Sequence, residues 1–137
     1  MEEPGLNDAI ENTLSEYFHT KKKNARLAFL MGSYAKGTPR RDSDVDVAVL
    51  FDAPPGSDEV SDLREALTLL LKKEVDLVSL NLAGPVIRMQ ALKTGKVLYG
   101  EKGAYEEFFT RTLNEYTDLK HFRKEAEEKI LGRKLYA

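Results

Sequence analysis

The stretch Gly32-Ser-Tyr-Ala-Lys-Gly-Thr-Pro-Arg-Arg-Asp-Ser-Asp-Val-Asp-Val-Ala-Val-Leu-Phe51 decides how the rest of the chain is read. It opens with a glycine-serine turn and ends in an apolar strand that begins with two aspartates. The residues before it, Ala25-Arg-Leu-Ala-Phe-Leu-Met31, form a short, mostly apolar run and read as a buried strand. Gly32 permits a tight turn and the close approach of a ligand. Ser33 offers a hydroxyl and a backbone N–H to an anion. Tyr34, Ala35 and Lys36 are expected to make one helical turn whose N–H groups face the same anion. Gly37 then lets the chain reverse into Thr38-Pro39.

The strand after the turn is expected over Asp44 to Phe51. Side chains alternate faces along a strand, so Asp44, Asp46, Ala48 and Leu50 share one face, and Val45, Val47, Val49 and Phe51 the other. Two aspartates at i and i+2 repel unless a cation sits between them. Carboxylates at the start of an apolar strand are costly without a partner. A divalent ion such as magnesium suits them, because it takes a few carboxylates and completes its shell with waters and phosphate oxygens. Ser43 either orients a carboxylate or caps the turn. A third acid, Asp76, lies inside Lys73-Glu-Val-Asp-Leu-Val-Ser-Leu80, another strand pattern. If that strand pairs with 44–51, Asp76 joins the first two aspartates. There it could hold the same ion and take a proton from an attacking hydroxyl.

Gly32-Ser33, Gly37, Ser43-Asp44-Val45-Asp46 and the later Asp76 together resemble the signature of the DNA polymerase β-type nucleotidyltransferase superfamily. The short chain is similar to its minimal nucleotidyltransferase branch, whose members are often antitoxins paired with a HEPN-domain ribonuclease toxin. The resemblance extends over roughly residues 7–100. It implies that Asp44, Asp46 and Asp76 bind two magnesium ions, with Asp76 as base, and that Gly32, Ser33 and Gly37 cradle the triphosphate of ATP. Arg41, with Arg40 and Lys36, would touch phosphates or remain a solvated loop cation. The implied reaction transfers AMP from ATP to a hydroxyl with release of pyrophosphate. The implied acceptor is a tyrosine on a HEPN toxin, in a hetero-oligomer. Two other readings stay open: an antitoxin that masks its toxin without catalysis, and transfer to a small-molecule hydroxyl such as that of an antibiotic.

The remaining sequence is consistent with a small enzyme. The chain has 137 residues, 42% of them hydrophobic, enough for one core. It has no cysteine, so neither a disulfide framework nor a thiolate metal site is expected. The N-terminus lacks a hydrophobic signal region, and no apolar run approaches a membrane span, so a cytoplasmic setting without membrane contact is expected. A net charge of −2 argues against direct nucleic-acid binding.

The expected fold is α/β (α+β): a small mixed sheet with packed helices, of the polymerase β-type, plus a C-terminal helical segment. Helices are expected from Asn7, as N-cap, to about Thr20, over 58–72 and over 85–93 with Gly95 as terminator, and an edge strand over 96–99. The domain division is 1–103 for the nucleotidyltransferase core and 104–137 for the extension. Tyr105, Phe108, Phe109, Leu113, Tyr116 and Leu119 give the extension an apolar stripe, for packing on the core or docking a partner. No Arg-x4-His ribonuclease motif is present, so toxin activity would lie on another chain.

Overall fold

The computed structural model describes residues 6–21, 24–39 and 43–136, and the side chains of 8–21, 24–39, 43–120 and 124. Nine elements follow one another: α1 (Leu6–Lys21), β1 (Ala25–Met31), α2 (Gly32–Ala35), β2 (Val45–Phe51), α3 (Ser57–Leu71), β3 (Val75–Ser79), α4 (Pro85–Thr94), β4 (Lys96–Gly100) and α5 (Ala104–Tyr136). The strands form one sheet in the order β3-β2-β1-β4. β1 pairs antiparallel with β2 and with β4, while β2 and β3, joined through α3, run parallel. The mixed sheet and the edge position of β4 are as expected from the sequence.

Both faces of the sheet are covered, which explains why β1 and β2 read as mostly apolar. On one face Ala28, Leu30, Val45, Val47, Val49 and Phe51 join Ile10, Leu14 and Phe18 of α1 and Leu63 and Leu67 of α3. The three α1 residues recur every fourth position, which places them on one side of that helix. On the other face Leu27, Phe29 and Ala48 meet Leu80, Ala91 of α4 and Phe108 of α5. Leu14, Phe18 and Leu67 are fully buried, so truncating any one to alanine is expected to cost about 2–5 kcal/mol.

Several boundaries differ from the sequence reading. α1 begins at Leu6, so Asn7 lies in its first turn and is not the cap. First-turn N–H groups lack intrahelical acceptors anyway, so a polar residue is tolerated there. β2 begins at Val45, one residue after Asp44. α3 ends at Leu71, and Lys72 adopts the left-handed conformation (φ 57°) with its N–H on the Thr68 carbonyl. Gly95 does end α4, but with extended backbone (φ −78°). Its glycine is required by space instead: a Cβ there would run into the Ala91 carbonyl and the Met31 sulfur.

α5 is one helix of 33 residues, about 50 Å long at the standard rise. Ala104, Phe108 and Thr112 are buried, and Tyr105 packs with Phe29. Phe109 and Leu113, read as part of the same stripe, remain 44% exposed. The side chains of His121, Phe122, Ile130, Leu131 and Leu135 lie outside the described residues.

Candidate active site

The site is built where β1, β2 and β3 bring their ends together. Asp46 is the register partner of Met31 on β1 and of Asp76 on β3. Parallel neighbours in register present their side chains on the same face, about 4.8 Å apart. The Val45 N–H donates to the Glu74 carbonyl at 3.0 Å, so the pairing of β2 with β3 starts beside the acids. Asp46 is partly buried, whereas Asp44 and Asp76 are exposed on either side of it. Burial, then the negative charges of Asp76 and Asp44 and a hydrogen bond with Asp76, raise the Asp46 carboxyl above its ordinary proton affinity. The three aspartates singled out in the sequence are therefore one electrostatic unit.

The glycine-serine turn packs directly on this unit. Gly32 has φ +66°, a conformation that side chains disfavour. A Cβ at Gly32 would overlap the Asp46 carboxylate, so the missing side chain is what lets the acid lie against the turn. Gly32–Ala35 forms the expected helical turn, α2. The Lys36 N–H reaches the Gly32 carbonyl (3.2 Å) and the Thr38 N–H reaches that of Ser33 (3.0 Å). Gly37 follows in the left-handed region (φ +73°), with open space where a side chain would be, and Lys36 is exposed. Arg41, with Arg40, lies outside the described residues.

Among the described residues, no three acidic or histidine side chains close a metal shell by themselves. Two touching carboxyls with a third acid in electrostatic range are nonetheless the donor chemistry for a hard cation that keeps water and phosphate oxygens in its remaining positions. The residues present therefore fit magnesium better than a soft or fully protein-caged ion.

Sequence reasoning missed two supporting residues. Met31, the register partner of Asp46, packs against Gly95 and so ties the α4–β4 turn to the edge of the site. Gly95 carried a signal, but it read only as a helix stop. A cavity of about 250 Å³ lies elsewhere, beside Phe51, Asn81, Arg88 and Arg111. That is five residues along β2 from Asp46, or roughly 16 Å at the strand rise. Its arginines are paired: Arg26 and Arg111 with Glu107, and Arg88 with Glu115.

The family model for polymerase beta nucleotidyltransferases matches residues 12–104, which includes every residue of this cluster. The chain belongs to that nucleotidyltransferase family. It is 34% identical over 111 residues to the protein adenylyltransferase MntA of Shewanella oneidensis, covering 80% of this chain and 78% of that protein. It also matches a chain in a crystal structure of a toxin–antitoxin with AMP-PNP, at TM-score 0.75 and 30% identity, covering 88% of this chain and 98% of the other. A third match, at TM-score 0.71 and 26% identity, covers 91% of this chain and 98% of a chain from the complex of a tri-AMPylated Shewanella oneidensis HEPN toxin with an MNT antitoxin. Among the described residues of this nucleotidyltransferase, no helix is long and apolar enough to cross a membrane.

Proposed function

We propose that this nucleotidyltransferase is a protein adenylyltransferase that acts as an antitoxin. It would transfer AMP from ATP to a tyrosine hydroxyl of a partner HEPN ribonuclease toxin, in a cytoplasmic hetero-oligomer. The observation that carries the reading is the in-register pair Asp46–Asp76, with Asp44 alongside, packed against the Gly32–Ser33 turn. Resemblance to MntA and to chains of toxin–antitoxin complexes supports the choice of acceptor. The same reading divides the chain into a core, 1–103, and a helical extension, 104–137, a division supported by the family match through residue 104.

In this reading Asp44, Asp46 and Asp76 would hold two magnesium ions. When bound, these neutralise charge on the phosphates and lower the proton affinity of the acceptor oxygen. Gly32, Ser33 and Gly37 form the turn that receives the triphosphate, with Arg41 as a further phosphate contact. Asp76, on the exposed edge strand, accepts the proton of the acceptor hydroxyl. The acceptor oxygen bonds to the α-phosphorus as the bond to pyrophosphate breaks. AMP adds bulk and negative charge to the toxin, which is how it would block RNA cleavage.

Intact-protein mass spectrometry of a HEPN partner, after incubation with this protein, magnesium and ATP, tests the reading. The expected result is a gain of AMP-sized mass, absent with the Asp44→Asn/Asp46→Asn double variant, and located on tyrosine by fragmentation. Toxin inhibition in a stable complex with no mass gain would replace transfer by masking. No gain and no complex would move the acceptor to another molecule.

A further inference from the structure

The turn that carries Ser33 has little stability of its own. α2 has only four residues and no side-chain cap hydrogen bond. A single helical turn is unfavourable in isolation, because several dihedrals are fixed for one hydrogen bond. The left-handed glycines at 32 and 37 bracket it and add conformational freedom to the unfolded chain. Something outside the turn must hold it.

Tyr34 is that contact. It is fully buried, the largest such side chain among the described residues, and Ala35 beside it is also buried. Its ring belongs to the core cluster of Leu14, Phe18, Leu30 and Val45, on the α1/α3 side of the sheet. Gly32 meets Asp46 on the other side, since Asp46 alternates with Val45 and Val47. The turn therefore grips the end of the sheet from both faces. The Tyr34 hydroxyl, although buried, finds no hydrogen-bond partner among the described residues. A buried hydroxyl without a partner is destabilising, so the ring and not the hydroxyl makes the contact useful.

We infer that Tyr34 is a positioning residue for nucleotide binding: its buried ring locks the Gly32–Thr38 turn against the core and thereby places Ser33 for the triphosphate. This rests on the reading of Gly32 and Ser33 as the triphosphate turn. The ring itself touches no substrate.

Two variants and two independent readouts test it. Tyr34→Phe keeps the ring and removes the unpaired hydroxyl. Tyr34→Leu keeps an apolar side chain but not the flat, extended ring. Binding of AMP-PNP with magnesium by calorimetry reads the consequence, and amide hydrogen exchange at Lys36 and Thr38 reads the turn without any nucleotide. Tyr34→Phe is expected to bind AMP-PNP like the parent and to melt at a higher temperature. Tyr34→Leu is expected to bind about tenfold more weakly, to raise the ATP KM more than it lowers kcat, and to exchange those amides faster. Unchanged exchange and affinity in Tyr34→Leu would overturn the inference. So would weakened binding in a folded Tyr34→Phe, which would give the hydroxyl the role instead, and that arm stands even if Tyr34→Leu fails to fold. A parent protein that binds no AMP-PNP would defeat the functional reading, while the exchange data would still decide whether the ring anchors the turn.

Discussion

The two ends of β2 solve opposite problems. At its C-terminal end the backbone and the nearby arginines are matched. The Phe51 N–H donates to the Asn81 side-chain carbonyl (2.8 Å), and the Asn81 amide returns a hydrogen bond to the Phe51 carbonyl (3.0 Å). Asn81 thus extends the ladder by one step after β3 has ended. Arg88 donates to the Leu80 and Asn81 carbonyls and pairs with Glu115 at 3.0 Å. At the N-terminal end three acids lie together, and a left-handed glycine abuts one of them. One end is satisfied within the chain. The other is a local electrostatic cost, and local cost of this kind is a mark of functional sites.

Substitution at the acidic end should therefore separate activity from stability. Asp46→Asn should lower AMP transfer about a thousandfold or more, since in the proposed mechanism the acids would hold the ions that supply several kcal/mol of charge stabilisation. It should leave the fold intact and raise the melting temperature of the metal-free protein, because it removes a repelling charge. Full transfer by this variant would end the assignment of the acidic cluster. Gly32→Ala should be the next largest in effect and should damage both properties. It forces a side chain into the left-handed region and against Asp46, costing roughly 2 kcal/mol of stability and about a hundredfold in transfer from misplacement. Denaturant unfolding beside steady-state rates would check this. A stable, active Gly32→Ala would mean that the close contact with Asp46 is dispensable.

The satisfied end should respond in the opposite way. Asn81→Ala leaves the Phe51 N–H and carbonyl without their partner and should cost about 1–3 kcal/mol in urea unfolding. Its kcat should stay within about twofold of the parent at temperatures where the protein is folded. A selective loss of kcat in Asn81→Ala would show that the two ends are coupled.

The smallest effect concerns pH. The folded protein holds the Asp46 proton more tightly than the unfolded chain does. The stability this contributes is fully present below the ordinary carboxylate pKa and is lost as pH rises through the raised value. In the presence of a chelator, the melting temperature of the parent should therefore fall behind that of Asp46→Asn by about 1–3 °C as pH climbs from acidic to neutral. A constant gap across that range would show that neither burial nor the neighbouring aspartates raise the proton affinity of Asp46 in the metal-free protein.

Much of this was legible in the residues. The alternation Asp44-Val45-Asp46-Val47-Ala48-Val49 marked a strand with two acids on one face, because period-two alternation has a direct geometric meaning. The Gly32-Ser33 turn and the helices expected from Asn7 to about Thr20 and over 58–72 were equally local. The apolar stripe on α5 was less well resolved. Tyr105 and Phe108 turn to the sheet while Phe109 and Leu113 stay exposed, and a period alone does not say which neighbour a helix meets. Gly95 was legible as a helix stop, but not why a glycine is needed there. The space it needs is set by Met31, distant in sequence, and no local pattern records that.

By itself, then, the sequence determined which segments are strands and helices and which side chains share a face, because those follow from backbone periodicity within a few residues. It also named the acids, because charge inside an apolar strand demands a partner. Only the tertiary structure decided that Asp46 and Asp76 stand in register, that Gly32 makes room for the Asp46 carboxylate, and that Tyr34 secures the turn from the opposite face of the sheet. Those relations join residues as far apart as Asp46 and Asp76, and the energy that fixes them comes from burial and strand pairing, which depend on where the whole chain folds.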